Sequence, residues 1–77
     1  SPMSVAEMGL MLYTANEGYL RQVEVEKIKD FEKSLIAYMN AEHKDLMDKV
    51  SETGEYGDDI QSAFKEALDK FMETQTW

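Results

Sequence analysis

These 77 residues contain no cysteine, one proline and four glycines. Without thiols, neither disulfide staples nor cysteine-ligated metal sites can hold the chain together. Basic residues are scarce: eight Lys and Arg stand against sixteen Asp and Glu, for a net charge of −8. No basic stripe runs along any segment, and a duplex phosphate surface repels such a chain, so nucleic-acid binding is excluded. Long apolar runs are also missing. The longest, Leu10-Met11-Leu12-Tyr13, falls far short of the roughly 20 residues a membrane span needs, and no stretch reads as a secretory signal. What is present is 43% hydrophobic residues, enough for one globular domain or part of one. A core of this length alone supplies at most about 3–5 kcal/mol of net stability. The acidic excess is explained by a solvated surface or by a basic partner.

Ser4-Val5-Ala6-Glu7 has the spacing of a capping box, in which the Ser4 hydroxyl accepts from the Glu7 amide and Glu7 reaches back to the Ser4 amide. This predicts a helix over about 5–16. Val5, Met8, Leu12 and Ala15 share one face of it, while Leu10, Met11 and Tyr13 lie on others. A helix apolar nearly all round wants neighbours on more than one side. Asn16-Glu17-Gly18 ends it, with Gly18 free to take the left-handed conformation.

The next segment alternates as an exposed strand would: Val23, Glu24, Val25, Glu26. No other window offers a strand to pair with it, and an unpaired strand leaves its backbone unsatisfied. The reading is therefore a loop anchored by Leu20 and Val23, a short helical turn at about 24–28, and a helix from about 29. Ile28, Phe31, Leu35, Tyr38, Met39, Leu46, Met47 and Val50 then recur at helical intervals, with a polar gap at Asn40, Glu42, His43 and Lys44. Either one long helix runs to about Ser51, or a break gives two, over about 29–41 and 43–52. Gly54 stops the pattern and Glu55-Tyr56-Gly57 turns the chain. Asp58 with Gln61 repeats the capping logic for a last helix over about 58–73, striped by Ile60, Phe64, Ala67, Leu68 and Phe71. Asp45 with Lys49 and Glu66 with Lys70 are spaced for exposed ion pairs worth about 0.2–0.5 kcal/mol each. The fold class expected is all-α, a small helical bundle.

Chemistry-bearing patterns are few. His43 is the sole histidine, and although Glu42 and Asp45 flank it, neither H-E-x-x-H nor E-x-x-H occurs. It is read as a polar residue at a helix junction. Glu52, Glu55, Asp58 and Asp59 surround Gly54 and Gly57, but no register satisfies a calcium-binding loop. A solvated turn feeding a helix amino terminus accounts for these acids. Neither G-x-x-x-x-G-K-[ST] nor G-x-G-x-x-G is present. No residue is assigned to catalysis, cofactor binding or metal ligation. Six methionines and Trp77 raise an interaction reading, although at helical spacing most methionines belong to a core. Met8, Leu10, Met11 and Tyr13, on a helix too apolar for a small domain to cover, are the candidate exposed interface residues.

At this point the chain resembles a known family. "SPMSVAEMGLMLYTANEGYL", "VEKIKDFEKSLIAYM" and "LDKFMETQTW" are similar to the carboxyl-terminal end of the alpha subunit of F-type ATP synthases. That family's pattern runs Pro-Met/Leu-Ser/Thr-Val, then Gly-Tyr-Leu after the first helix, then Lys-Ile followed by Phe-Glu, and in bacterial members ends Thr-Gln-Ser-Trp. Here these are Pro2 to Val5, Gly18-Tyr19-Leu20, Lys27-Ile28 with Phe31-Glu32, and Thr74-Gln75-Thr76-Trp77. Many relatives have a proline two residues after the histidine matched by His43; this chain has Asp45.

The resemblance implies part of a left-handed superhelical, all-α carboxyl-terminal domain. In the family, alpha and beta subunits alternate in a ring around a rotating central stalk, making ATP from ADP and phosphate with a transmembrane proton gradient. It implies that the full-length subunit binds ATP or ADP with magnesium, at positions outside this segment. It further implies that beta subunits and the stalk are partners, and that the complex lies on the cytoplasmic face of the bacterial inner membrane without this segment inserting into it. The segment itself would be a non-catalytic scaffold and coupling element. The opening on Ser1-Pro2, with helical pattern following at once, adds the expectation of a piece of something longer, whose first helix exposes part of Met8, Leu10, Met11 and Tyr13 and self-associates. The competing reading is an autonomous acidic helical module with a groove for a basic or amphipathic partner helix.

Overall fold

The computed structural model describes residues 3–74. Ser1 and Pro2, and the Gln75-Thr76-Trp77 end with its tryptophan, lie outside the described residues. Four α-helices follow one another, α1 (Val5–Asn16), α2 (Ile28–Glu42), α3 (Lys44–Thr53) and α4 (Asp58–Thr74), with 3-10 turns at Tyr19–Gln22 and Val25–Lys27 between the first two. The protein is all-α, with no strand among the described residues. α1 and α2 each pack on both α3 and α4.

The capping box at the start of α1 forms as the spacing requires. Ser4 Oγ accepts from the Glu7 amide at 3.1 Å, and the Ser4 amide donates to Glu7 Oε1 at 3.0 Å. The same corner is tied to the rest of the molecule twice. Asn40 Nδ2 at the end of α2 donates to Glu7 Oε2 at 3.0 Å, and the Ala6 amide donates to Ser51 Oγ of α3 at 3.1 Å. An amide left orphaned by helix geometry is thus satisfied from another helix, which also sets the rotation of α1.

That rotation decides which of the apolar residues of α1 are covered. Ala6, Leu10, Tyr13 and Thr14 are the buried residues, whereas Val5, Met8 and Leu12 are exposed. Leu10 and Tyr13 are therefore not interface candidates: Leu10 is wholly enclosed, and the Tyr13 ring meets Phe64 of α4 at a centroid distance of 6.1 Å. The small Ala6 lets α1 approach closely, and Thr14 is buried without penalty because its hydroxyl donates to the Leu10 carbonyl at 2.7 Å.

Past Gly18, which takes φ 81° as an αL residue, the strand-like alternation is absorbed by the two 3-10 turns. Val23 and Tyr19 are buried and Val25 points out. Tyr19 reaches across to α4, its hydroxyl donating to Asp69 Oδ1 at 2.6 Å.

The long apolar pattern is broken at His43 (φ −132°, ψ 41°). On a straight helix the stripe Phe31, Leu35, Met39 would continue to Leu46. The break shifts the register, so that Met47 and Val50 are buried and Leu46 is only partly covered. α3 ends at Gly54 (φ 69°), whose amide donates to the Val50 carbonyl at 2.8 Å. Asp58 is the first residue of α4 rather than its cap, and the Gln61 side chain donates to the Tyr56 carbonyl at 3.0 Å. The ion pairs also differ from those expected: Lys44–Asp48 at 2.6 Å, Lys65–Asp69 at 2.7 Å and Lys49–Glu55 at 3.8 Å.

Phe31, Phe64, Phe71, Leu10, Leu35, Met39 and Leu68 fill the centre. Phe71 meets Phe31 edge-on at 5.8 Å and Tyr38 at 5.2 Å, while Tyr38 also lies against His43 at 5.6 Å. Aromatic pairs of this kind add about 0.5–1.5 kcal/mol beyond the area they bury.

Candidate interaction surface

Because α1 buries its Ala6–Leu10–Tyr13 side, the opposite side carries uncovered apolar groups. Met8 and Leu12 are each 53% exposed and Val5 47%. Together with Gly9, Val50, Gly54, Glu55 and Tyr56 they line an open groove of about 330 Å³. Its far wall is the turn from α3 to α4. A Cβ on Gly9 would sit 3.8 Å from Tyr56 Cδ1, an ordinary contact distance, so the tyrosine ring lies directly against the helix backbone. Burial, then the Glu17 carboxylate, holds the Tyr56 phenol above its ordinary range. A second apolar depression, of about 370 Å³, lies between Met3 and Met11 on one side and Lys29, Glu32, Lys33 and Ile36 of α2 on the other.

Of the interface candidates named from sequence, Met8 therefore lines the first groove and Met11 the second, while Leu10 and Tyr13 belong to the core. Val5, Leu12 and Tyr56 were missed. Val5 and Leu12 share the i, i+3, i+7 spacing with Met8, which places the three on one face of the helix without saying whether that face is covered. Tyr56 sits in a turn, where periodicity says nothing.

The polar clusters are structural. Asp69 accepts from Tyr19 at Oδ1 and from Lys65 Nζ at Oδ2, at 2.7 Å. The lysine bond, then the tyrosine bond, hold its carboxyl below the usual carboxylate range. Burial, then that hydrogen bond, push the Tyr19 phenol well above its ordinary range. His43 lines a depression with Leu46, Ala63, Glu66, Ala67 and Lys70. Among the described residues no group of three or more His, Cys, Asp or Glu could hold a metal ion, and no helix is long and apolar enough to cross a membrane.

Fold and surface together define an all-helical domain whose buried aromatic and hydrogen-bonded side chains make contacts between helices. The family model for the ATP synthase alpha/beta chain, C terminal domain, matches residues 1–71, and the chain belongs to that family. It is 61% identical over its 77 residues to ATP synthase subunit alpha of Alcanivorax borkumensis. To the subunits alpha of Shewanella loihica and Chromohalobacter salexigens it is 54% identical over the same length. Each match takes in 100% of this chain and 15% of the relative. The chain thus spans about one seventh of the length of these bacterial proteins.

Proposed function

We propose that this chain serves as a non-catalytic structural and coupling element of an ATP synthase alpha subunit. It stiffens the helical domain through which rotation of a central stalk biases the neighbouring nucleotide domains of an alternating alpha/beta ring. The observation that carries the reading is identity of 61% across the whole chain to a bacterial subunit alpha. The structure supports it in kind, since the buried phenylalanines, the α1 corner held by Asn40 and Ser51, and the Tyr19–Asp69 bond are all devices for holding helices in fixed relation. In this reading ATP or ADP with magnesium binds elsewhere on the full-length subunit. Beta subunits and the stalk are its partners, and the complex sits on the cytoplasmic face of a bacterial inner membrane, making ATP from a proton gradient.

The test is a chimera in which these 77 residues replace the matching segment of the Alcanivorax borkumensis subunit alpha, expressed with the remaining subunits. The expected outcome is an assembled complex whose ATP hydrolysis still drives proton pumping. Failure of the chimera to enter the ring, while the unaltered subunit does so, would overturn the proposal.

A further inference from the structure

A polar depression of about 230 Å³ lies where the carboxyl end of α1 meets the start of α4. Tyr13 and Glu17 line one side of it, and Asp58, Gln61, Ser62 and Lys65 line the other. Both carboxylates, of Glu17 and Asp58, belong to the lining itself, and among the described residues neither makes a hydrogen bond or an ion pair. Lys65, the cation of the lining, is engaged, its Nζ donating to Asp69 Oδ2 at 2.7 Å. The Gln61 side-chain nitrogen is taken up likewise, by the Tyr56 carbonyl at 3.0 Å.

Tyr13 decides what this lining is for. It is 5% exposed and its ring rests against Phe64, yet among the described residues its hydroxyl has no hydrogen-bond partner. A phenol buried so far ordinarily finds one. Burial raises this phenol above its ordinary range, and the next largest influences on it are the charges of Glu17 and Lys65. Both are lining residues, so the hydroxyl faces the depression. Oxygen acceptors therefore converge from Glu17, Asp58, Ser62, Tyr13 and Gln61 Oε1, while the nitrogen donors already have acceptors of their own. The last turn of α1 also carries no basic residue, which leaves the partial negative charge of that helix end without a cation.

Such a lining takes a cation rich in N–H donors. A guanidinium is planar and carries more of them than an ammonium, so it can serve both carboxylates and a phenol oxygen together. The depression is several times the roughly 30 Å³ share of one liquid water, which gives room for that group and the carbons behind it. We propose that the depression formed by Tyr13, Glu17, Asp58, Gln61 and Ser62 is a binding site for a guanidinium group, held by the two carboxylates with the Tyr13 hydroxyl oxygen as a further acceptor. The group belongs either to a small free compound or to an arginine side chain of another chain. The site shares no residue with the apolar groove and does not rest on the packing role proposed above.

The experiment uses the 77-residue chain, isotopically labelled and titrated at constant ionic strength with methylguanidine, with methylurea and methylammonium as controls, while amide chemical shifts are followed by NMR. Saturable shifts are expected at Tyr13, Glu17, Asp58 and Gln61, with an affinity at least about tenfold above that for methylurea and measurably above that for methylammonium. The E17Q/D58N variant changes two exposed positions almost isosterically and should lose about tenfold or more. Y13F keeps the ring against Phe64 and should lose about threefold or more. Both variants should retain the helical circular dichroism of the parent. A blocked arginine tripeptide separates the two sources: tighter binding than methylguanidine assigns the site to an arginine of another chain, equal or weaker binding to a free compound. An equal response to methylurea, or an affinity undiminished in E17Q/D58N or in Y13F, would overturn the proposal. None of those results bears on whether the chimera assembles.

Discussion

Asp69 and Tyr19 form a linked pair whose titration bounds stability on both sides. The carboxyl of Asp69 is held low in the folded state, first by Lys65 and then by Tyr19. Its contribution is complete above the unfolded carboxylate value of about 3.9 and is lost as pH falls through the lower folded value. The Tyr19 phenol is held high, first by burial and then by the hydrogen bond to Asp69, and burial likewise raises Tyr13 and Tyr56. Those contributions are complete below the unfolded phenol value of about 10 and fade as pH rises, because the unfolded chain sheds tyrosine protons that the folded chain retains. The Tyr19→Phe variant removes the bond while keeping the ring, and should cost about 1 kcal/mol at neutral pH. Urea melts across pH would show more: both the acid and the alkaline slopes should become shallower. A loss equal at every pH would mean that the hydroxyl contributes packing alone.

At the scale of the element, α1 shows where a periodic pattern runs out of information. Its apolar residues occupy both faces, so the stripe Val5, Met8, Leu12 and the stripe Ala6, Leu10, Tyr13 were equally readable as core. What selects the second is not hydrophobicity but fit, through the small Ala6 facing α3 and an amide that finds Ser51 Oγ. Neither cue is visible until the neighbouring helix is in place. Where apolar residues line one face only, as with Ile60, Phe64, Ala67, Leu68 and Phe71 of α4, the same five residues read from spacing are the ones buried. Two substitutions separate the faces of α1. Leu10→Ala should cost about 2–5 kcal/mol, since it empties a fully enclosed site. Leu12→Ala, on the exposed side, should stay within about 0.5 kcal/mol. Thermal melts of both variants decide the matter, and equal losses would mean that α1 is turned otherwise.

For the whole molecule, an all-helical class was legible because the chain offers a single strand-like window and nothing to pair with it. The groove was not legible, since its walls come from residues some 45 positions apart, as the Ala6–Ser51 bond illustrates. Charge ties these scales together. The ion pairs Lys44–Asp48 and Lys65–Asp69 have side chains roughly half exposed or more, and such pairs contribute between nothing and about 1 kcal/mol, which salt diminishes. Opposing them is the self-repulsion of a chain with net charge −8. Repulsion acts over many pairs at long range. At about 0.01 M salt the screening length of about 30 Å is comparable to the molecule, while at about 0.1 M it falls to about 10 Å. Raising sodium chloride across that interval should therefore stabilise the fold, with the gain in repulsion relieved exceeding the loss in exposed pairs. Since about 1 kcal/mol moves Tm by about 4–8 °C in a domain of this size, differential scanning calorimetry should register a rise of a few degrees. A fall instead would mean that the ion pairs outweigh the repulsion, and that the acidic side chains are too well solvated to repel one another.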